Sequence, residues 1–171
     1  METRPTGTPH VEIRAVRYDH PDAVALDGLV QQEYARRYGD GDMTPLDPEM
    51  FNPPHGAYLI AYEGGRALAS GGWRVQDDTG KGYAVGDAEI KRMFVLPEAR
   101  GRGLARRILK VLEADARAAG RSRMVLETGI KQPEALRLYA SCGYALVEKF
   151  GLYRTYEESR CMAKPLTGAA G

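Results

Sequence analysis

The segment from Met93 to Ala105, MFVLPEARGRGLA, constrains the fold more than any other part of this chain. It reads as a strand that ends in Val95-Leu96-Pro97 and passes through a glycine-rich turn directly into an amphipathic helix. Glycines let successive backbone N–H groups converge without obstruction by a Cβ. The first helical turn adds unpaired N–H donors and the positive end of the helix dipole. Such a strand–turn–helix is an anion site that suits a pyrophosphate, and Arg100 and Arg102 can add charge-assisted bonds to the same phosphates. Two common phosphate motifs are absent: GxGxxG needs glycine at the position held by Arg106, and a Walker A loop needs GK[ST]. Taken alone, Arg-Gly-Arg-Gly is explained as well by a basic, flexible connection.

The surrounding pattern predicts a mixed sheet with helices on its faces. Val11 to Arg17 alternates with period two as a half-buried strand does. After His20-Pro21-Asp22, Leu26, Val30, Tyr34 and Tyr38 recur every four residues along one face of a helix that Gly39 can stop. Residues Asp40 to Pro54 read mostly as loop. Ala57 to Glu63 and Arg66 to Val75 flank Gly64-Gly65 as the strands of a hairpin. A strand from Ala84 to Leu96 is expected to put Ala88, Ile90, Arg92, Phe94 and Leu96 on one face and Glu89, Lys91, Met93 and Val95 on the other. A helix from about Arg102 to Ala119 aligns Leu104, Ile108, Val111, Leu112 and Ala119. Met124 to Glu127 is a short strand and Pro133 to Cys142 a helix. Tyr144 to Phe150 and Ser159 to Lys164 are closing strands. The order β-α-β-β-β-α-β-α-β-β combines hairpins with strand–helix–strand crossovers, an α/β (α+β mixed-sheet) arrangement. One domain over residues 11–165 is expected, with flexible ends at 1–10 and 166–171.

Composition narrows the function classes. Lys and Arg number 24 against 23 Asp and Glu, a formal net charge of +1, which speaks against a nucleic-acid or polyanion binder. The longest apolar run, Ala57 to Tyr62, is far short of the ~20 residues of a membrane span, and METRPTGTPH has no apolar signal core. No membrane association and a cytoplasmic location are expected. Cys142 and Cys161 show no CxxC spacing, and His10, His20 and His55 form no ligand pair. Neither a metal nor a redox dithiol is expected.

The pattern Arg-x-x-Gly-x-Ala from Arg100 to Ala105, opening a helix just after a strand, resembles the GCN5-related N-acetyltransferase (GNAT) superfamily. In that family a [QR]xxGx[GA] turn binds the pyrophosphate of acyl-coenzyme A, and Arg100, Gly103 and Ala105 match its fixed positions. Leu126-Glu127-Thr128, Gln132-Pro133-Glu134-Ala135 and Leu138-Tyr139-Ala140-Ser141-Cys142-Gly143-Tyr144 are similar to the family's second half, with Gln132 where Asn is usual. The resemblance implies a GNAT-like fold in which the strand over 84–96 splays from its parallel neighbour, so that the pantetheine arm of acetyl-CoA inserts there as a pseudo-strand. It implies coenzyme contacts from Met93, Phe94, Val95, Arg100, Gly101, Arg102, Gly103, Leu104, Ala105 and Gln132. A homodimer is also compatible with it.

Transfer from a thioester to an amine needs a neutral amine, a stabilised oxyanion and a proton for the departing thiolate. By resemblance, Glu89 is the candidate base, directly or through water, and Tyr139 the candidate acid near the coenzyme sulfur. A charge on a half-exposed strand and a core tyrosine are the competing explanations of these residues. Neither cysteine lies in a nucleophile motif, so direct attack by a small-molecule amine is expected. Tyr34 and Trp73 are candidates for an aromatic acceptor wall, with core packing the alternative. An acetyltransferase for protein lysines or N-terminal amines, and a non-catalytic acyl-CoA sensor, are the alternative functions.

Overall fold

The computed structural model describes residues 10–166, so the expected flexible ends fall almost wholly outside it. The chain runs β1 (Val11–Val16), α1 (Pro21–Tyr38), β2 (Gly56–Glu63), β3 (Arg66–Gln76), β4 (Asp87–Val95), α2 (Leu104–Ala118), β5 (Arg123–Gly129), α3 (Pro133–Ser141), β6 (Ala145–Val147) and β7 (Ser159–Pro165). This is the α/β order read from the sequence. The strands form one mixed sheet in the order β1-β2-β3-β4-β5-β7-β6, antiparallel throughout except where β4 meets β5.

The first helix begins where proline costs nothing, since Pro21 lacks an N–H that the first turn could not satisfy anyway. The His20 ring accepts from the Asp22 N–H at 3.0 Å, and Gly39 ends the helix. Ala23, Leu26 and Val30 bury its sheet-facing stripe, and the same stripe carries Tyr34 and Tyr38 onward to the site. Phe51, in a 3₁₀ turn over Pro48–Phe51, packs edge-on to Tyr58 on this face of the sheet. The other face is covered by α2 through Leu104, Ile108, Leu109, Leu112 and Ala116. The expected stripe on α2 is slightly rotated: Leu109 points inward, whereas Val111 is 41% exposed and Ala119 lies beyond the helix.

Three further expectations change. The strand expected from Ala84 begins at Asp87, whose carboxylate accepts from the Ala84 N–H at 2.8 Å and so turns residues 84–86 away from the ladder. The strand expected over 144–150 pairs only at Ala145–Val147, and Phe150 leaves it to pack on Tyr83 with ring centroids 4.7 Å apart. The third change is decisive for the site. Arg92 has a φ of 60°, and the β3–β4 register passes from Gly72↔Lys91 to Ser70↔Phe94, so that Arg92 and Met93 together oppose Gly71. This β-bulge breaks the expected alternation. Lys91 and Arg92 both reach Asp42 on the α1 face, while Met93 turns to the α2 face, where its sulfur would lie 2.2 Å from any Cβ at Gly71.

Candidate active site

Strands β4 and β5 pair only from Asp87↔Arg123 to Glu89↔Val125 and then separate. Between them opens a cavity of about 260 Å³. Its walls are Tyr34 and Tyr38 from the end of α1, Asp40 to Met43 from the following loop, Ile90 to Arg92 from β4, Glu127 to Gly129 from β5, and Tyr153 and Tyr156 from the loop before β7. A parallel pair that stops after three rungs leaves backbone groups on both strands without a sheet partner, and such groups call for a ligand. Val95 shows the consequence: its carbonyl has no strand partner on that side and accepts from Arg100 Nε of the following turn at 3.1 Å.

Beyond β4, Pro97–Ala99 makes a 3₁₀ turn, Gly101 and Gly103 take φ values of 81° and 75°, and α2 starts at Leu104 with no capping side chain. A Cβ at either glycine would meet nothing within 4 Å, so backbone conformation rather than space requires glycine here. Arg107 N donates to Gly103 O at 3.1 Å as the first helical bond, which leaves the N–H groups of Leu104, Ala105 and Arg106 without helical acceptors. Arg100 is 3.4 Å from Glu33, and Arg102 is paired with Glu63. Both arginines stand at the turn with acidic partners that a phosphate can replace. The open β4 edge, the turn and the helix start therefore form one continuous strip suited to an extended ligand with an anionic end.

Gln132, at the start of α3, lines the cavity and accepts from Thr128 Oγ1 at 3.4 Å. Tyr34 lines it too. Tyr139 is buried on α3, its ring edge-on to Tyr144 at 5.7 Å, and burial raises its phenol pKa with no hydrogen bond contributing. Three of the expected catalytic and acceptor-wall residues do not line the cavity, Tyr139 among them. Trp73 is 1% exposed and donates its indole N–H to Asp115 of α2 at 2.7 Å, on the opposite face of the sheet from Gly72 and Arg74, so it forms no part of the cavity wall. Glu89 does not line the cavity; its carboxylate is bound to Arg74 and the Tyr83 hydroxyl.

The model of the acetyltransferase (GNAT) family matches residues 25–144. The chain belongs to this family. An IAA acetyltransferase of Azospirillum brasilense is 39% identical to this acetyltransferase over 132 residues, which cover 74% of this chain and 82% of that relative. A presumed acyl-CoA N-acyltransferase from Klebsiella pneumoniae superposes with a TM-score of 0.74 at 26% identity, covering 92% of this chain and 98% of that one. The PaiA N-acetyltransferase of Thermoplasma acidophilum, solved in complex with coenzyme A, shares the fold with a TM-score of 0.66 at 13% identity, over 91% and 99% of the two chains.

Charged side chains also line this acetyltransferase's cavity. Asp42 pairs with Lys91 at 2.9 Å and Arg92 at 3.6 Å; burial works against its ionisation, yet these two cations hold its carboxyl well below the usual carboxylate range. Arg92, with its side chain 3% exposed, also reaches Asp27 of α1 at 3.2 Å. Glu127 is the opposite case. Burial, with Glu89 and Asp42 adding negative charge nearby, pushes its pKa up to about 7 against the pull of Lys91. Glu127 stands in the Leu126-Glu127-Thr128 segment that carries part of the family resemblance, and this was the signal available for it. Among the described residues no group of three His, Cys, Asp or Glu is placed to hold a metal, and no helix is long and apolar enough to cross a membrane.

Proposed function

We propose that this acetyltransferase moves the acetyl group of acetyl-CoA to a primary amine of a small molecule by direct attack, in the cavity between β4 and β5. The observation that carries this reading is a half-buried carboxylate, Glu127, set near neutrality in a tyrosine-walled cavity at the inner end of the coenzyme strip. The relative named as an IAA acetyltransferase supports a small acceptor. Acetyl-CoA supplies the activated thioester, and the residues suited to hold it are the edge of Met93 to Val95, the turn from Arg100 to Ala105, and Gln132.

An alkylammonium has a pKa near 10.4, so the acceptor enters protonated and must lose a proton. Glu127 is the base that faces it. A carboxylate with a pKa of about 7 is a stronger base than an ordinary one at 4.5, and each unit is worth about 1.4 kcal/mol of driving force. Partial desolvation of the acceptor against the tyrosine walls would lower the ammonium's own pKa. Tyr139 serves the leaving sulfur. Its raised pKa keeps the phenol protonated, and full transfer to a thiolate, whose acid form has a pKa near 8.5, is uphill; Tyr139 therefore acts as a hydrogen-bond donor to the departing sulfur.

Direct attack fits the placement of the two cysteines. Cys142, at the end of α3, lies 3.4 Å from Arg106, and Cys161 packs against Phe150; neither lines the cavity. The test is release of free thiol from acetyl-CoA with a panel of primary amines and with N-terminal and lysyl peptides. Intersecting initial-velocity lines with a small amine support the reading. Turnover with peptides alone overturns the small acceptor, and parallel lines with an acetylated Cys142 overturn direct attack.

A further inference from the structure

We propose that Glu89, clamped by Arg74 and Tyr83, is a positioning group whose fixed negative charge readies Glu127 to take the proton, and is not itself the base. This rests on the reading of Glu127 given above. Glu89 lies at the last rung of the β4–β5 pairing, opposite Val125, and is 3% exposed. Its Oε1 accepts from Arg74 Nε at 2.9 Å, with Arg74 Nη2 at the same distance, and its Oε2 accepts from the Tyr83 hydroxyl at 2.5 Å. Arg74 is held in turn by Pro45 O at 3.4 Å, and the Tyr83 ring is stacked on Phe150. A base needs a lone pair directed at the proton it removes. Both oxygens of Glu89 already have donors, and none of Arg74, Tyr83 and Glu89 borders the cavity.

Glu127 stands two residues beyond Val125 on β5, so the pleat places it on the same face as Glu89. Gly151, with a φ of 82°, marks where the two groups come together: a Cβ there would stand 2.7 Å from the Tyr83 hydroxyl and 3.6 Å from Glu127 Oε2. The charged and titratable groups around Glu127 come from every neighbouring element. Lys91 and Glu89 belong to β4, Asp42 to the loop after α1, Tyr153 to the loop before β7, and Cys161 sits opposite on β7. Lys91 is engaged by Asp42 at 2.9 Å, Arg92 of the cavity wall by Asp27 and Asp42, and Arg74 by Glu89. Glu89 and Glu127 repel one another, and the Glu89 carboxylate is already engaged by Arg74 and the Tyr83 hydroxyl. The repulsion is therefore relieved at Glu127, which binds a proton more readily and can take one from the acceptor. Burial is the larger influence on Glu127, and Glu89 adds to it in the same direction.

The experiment compares kcat/KM against pH for the wild type, Glu89→Gln, Glu127→Gln and the paired change Arg74→Gln with Glu89→Gln, using acetyl-CoA and the best amine of the panel. The paired change leaves no orphaned charge and covers the case in which Glu89→Gln alone fails to fold. Titration of the Glu127 carboxyl by carbon NMR in the ligand-free protein supplies a readout independent of activity. The proposal expects an acid limb near pH 7 in the wild type, most turnover lost in Glu127→Gln, and turnover kept in Glu89→Gln with the limb and the Glu127 titration moved about one pH unit lower, the paired variant moving in the same direction by less because it also removes the Arg74 cation. If Glu127→Gln is inactive while removal of Glu89 leaves both the limb and the titration in place, the positioning role is overturned and the base assignment stands. If Glu127→Gln keeps its activity and its limb while Glu89→Gln abolishes turnover at every pH, both fall and Glu89 is the base.

Discussion

Tyr139 is buried and Glu127 half-buried, and loss of water serves each in a different way. Loss of water disfavours the charged form of either group. For Tyr139 this keeps the phenol protonated, as the proposed hydrogen bond to the leaving sulfur requires; for Glu127 it brings proton affinity into the working range. Replacing Tyr139 with Phe should lower kcat by about 100-fold with little change in the KM for acetyl-CoA. Unchanged turnover from pH 7 to 9 would remove the hydroxyl from the reaction. Glu127 also has a cost in stability. Its folded pKa of about 7 stands above its ordinary 4.5, so the folded state binds more protons than the unfolded state between those values, and stability falls as pH rises through that window. Glu127→Gln should therefore melt about 5 °C higher than the wild type at pH 8 while losing activity, and the gain should vanish near pH 4. Tyr139 was legible from its place in Leu138-Tyr139. The choice between Glu89 and Glu127 was not, because both appear in the sequence as single carboxylates on half-buried strands and only side-chain partners separate them.

At the scale of elements, the site is a consequence of how β4 ends. Three rungs join it to β5, the bulge at Arg92 re-aims its side chains, and the turn at Gly101 and Gly103 delivers the chain into α2 with N–H groups exposed. Acetyl-CoA at about 100 times its Kd should stabilise the protein by about 2.7 kcal/mol, seen as a rise in Tm. Gly103→Ala introduces a Cβ into open space at a φ of 75° and should destabilise the helix start by about 1–2 kcal/mol while retaining a reduced shift. Gly103→Asp places an anion where the phosphates bind and should abolish the shift; a full shift in a folded Gly103→Asp protein would show that the turn does not hold the coenzyme. The turn could be read directly, because glycine positions and helix periodicity are local. The bulge could not, since alternation continues through Lys91, Arg92 and Met93 on paper and nothing local marks the residue that breaks it.

Over the whole molecule, the sheet is held between α2 on one face and α1 with Phe51 on the other, and the cavity opens where α1, the loop after it and the segment before β7 converge on the gap between β4 and β5. Asp42 ties that loop to β4 through Lys91 and Arg92 and to Tyr153, whose hydroxyl is 3.3 Å from it. Although burial works against it, Asp42 is held ionised by those cations, with its folded pKa depressed below 3.8. The stability it contributes is present above the unfolded value near 3.9 and is lost as pH falls toward the folded one. Melting curves from pH 6 to 3 should show a steeper acid loss for the wild type than for Asp42→Asn, and equal slopes would mean that the tie is absent. Element order, the sheet class and the glycine turn into α2 followed from the sequence alone, because they rest on periodicity, glycine conformation and short-range spacing, and the family followed from the resemblance of its motifs. Which residues meet across the gap was decided by tertiary structure. Trp73 and Arg74 are neighbours in sequence, yet the pleat sends one to Asp115 and the other to Glu89. The Arg92 bulge brings Lys91 and Arg92 to the same side, and Glu127 faces the cavity only because β5 parts from β4 before reaching it. Those outcomes depend on long-range packing and on charges meeting in a shared low-dielectric space, and no pattern local to the chain encodes them.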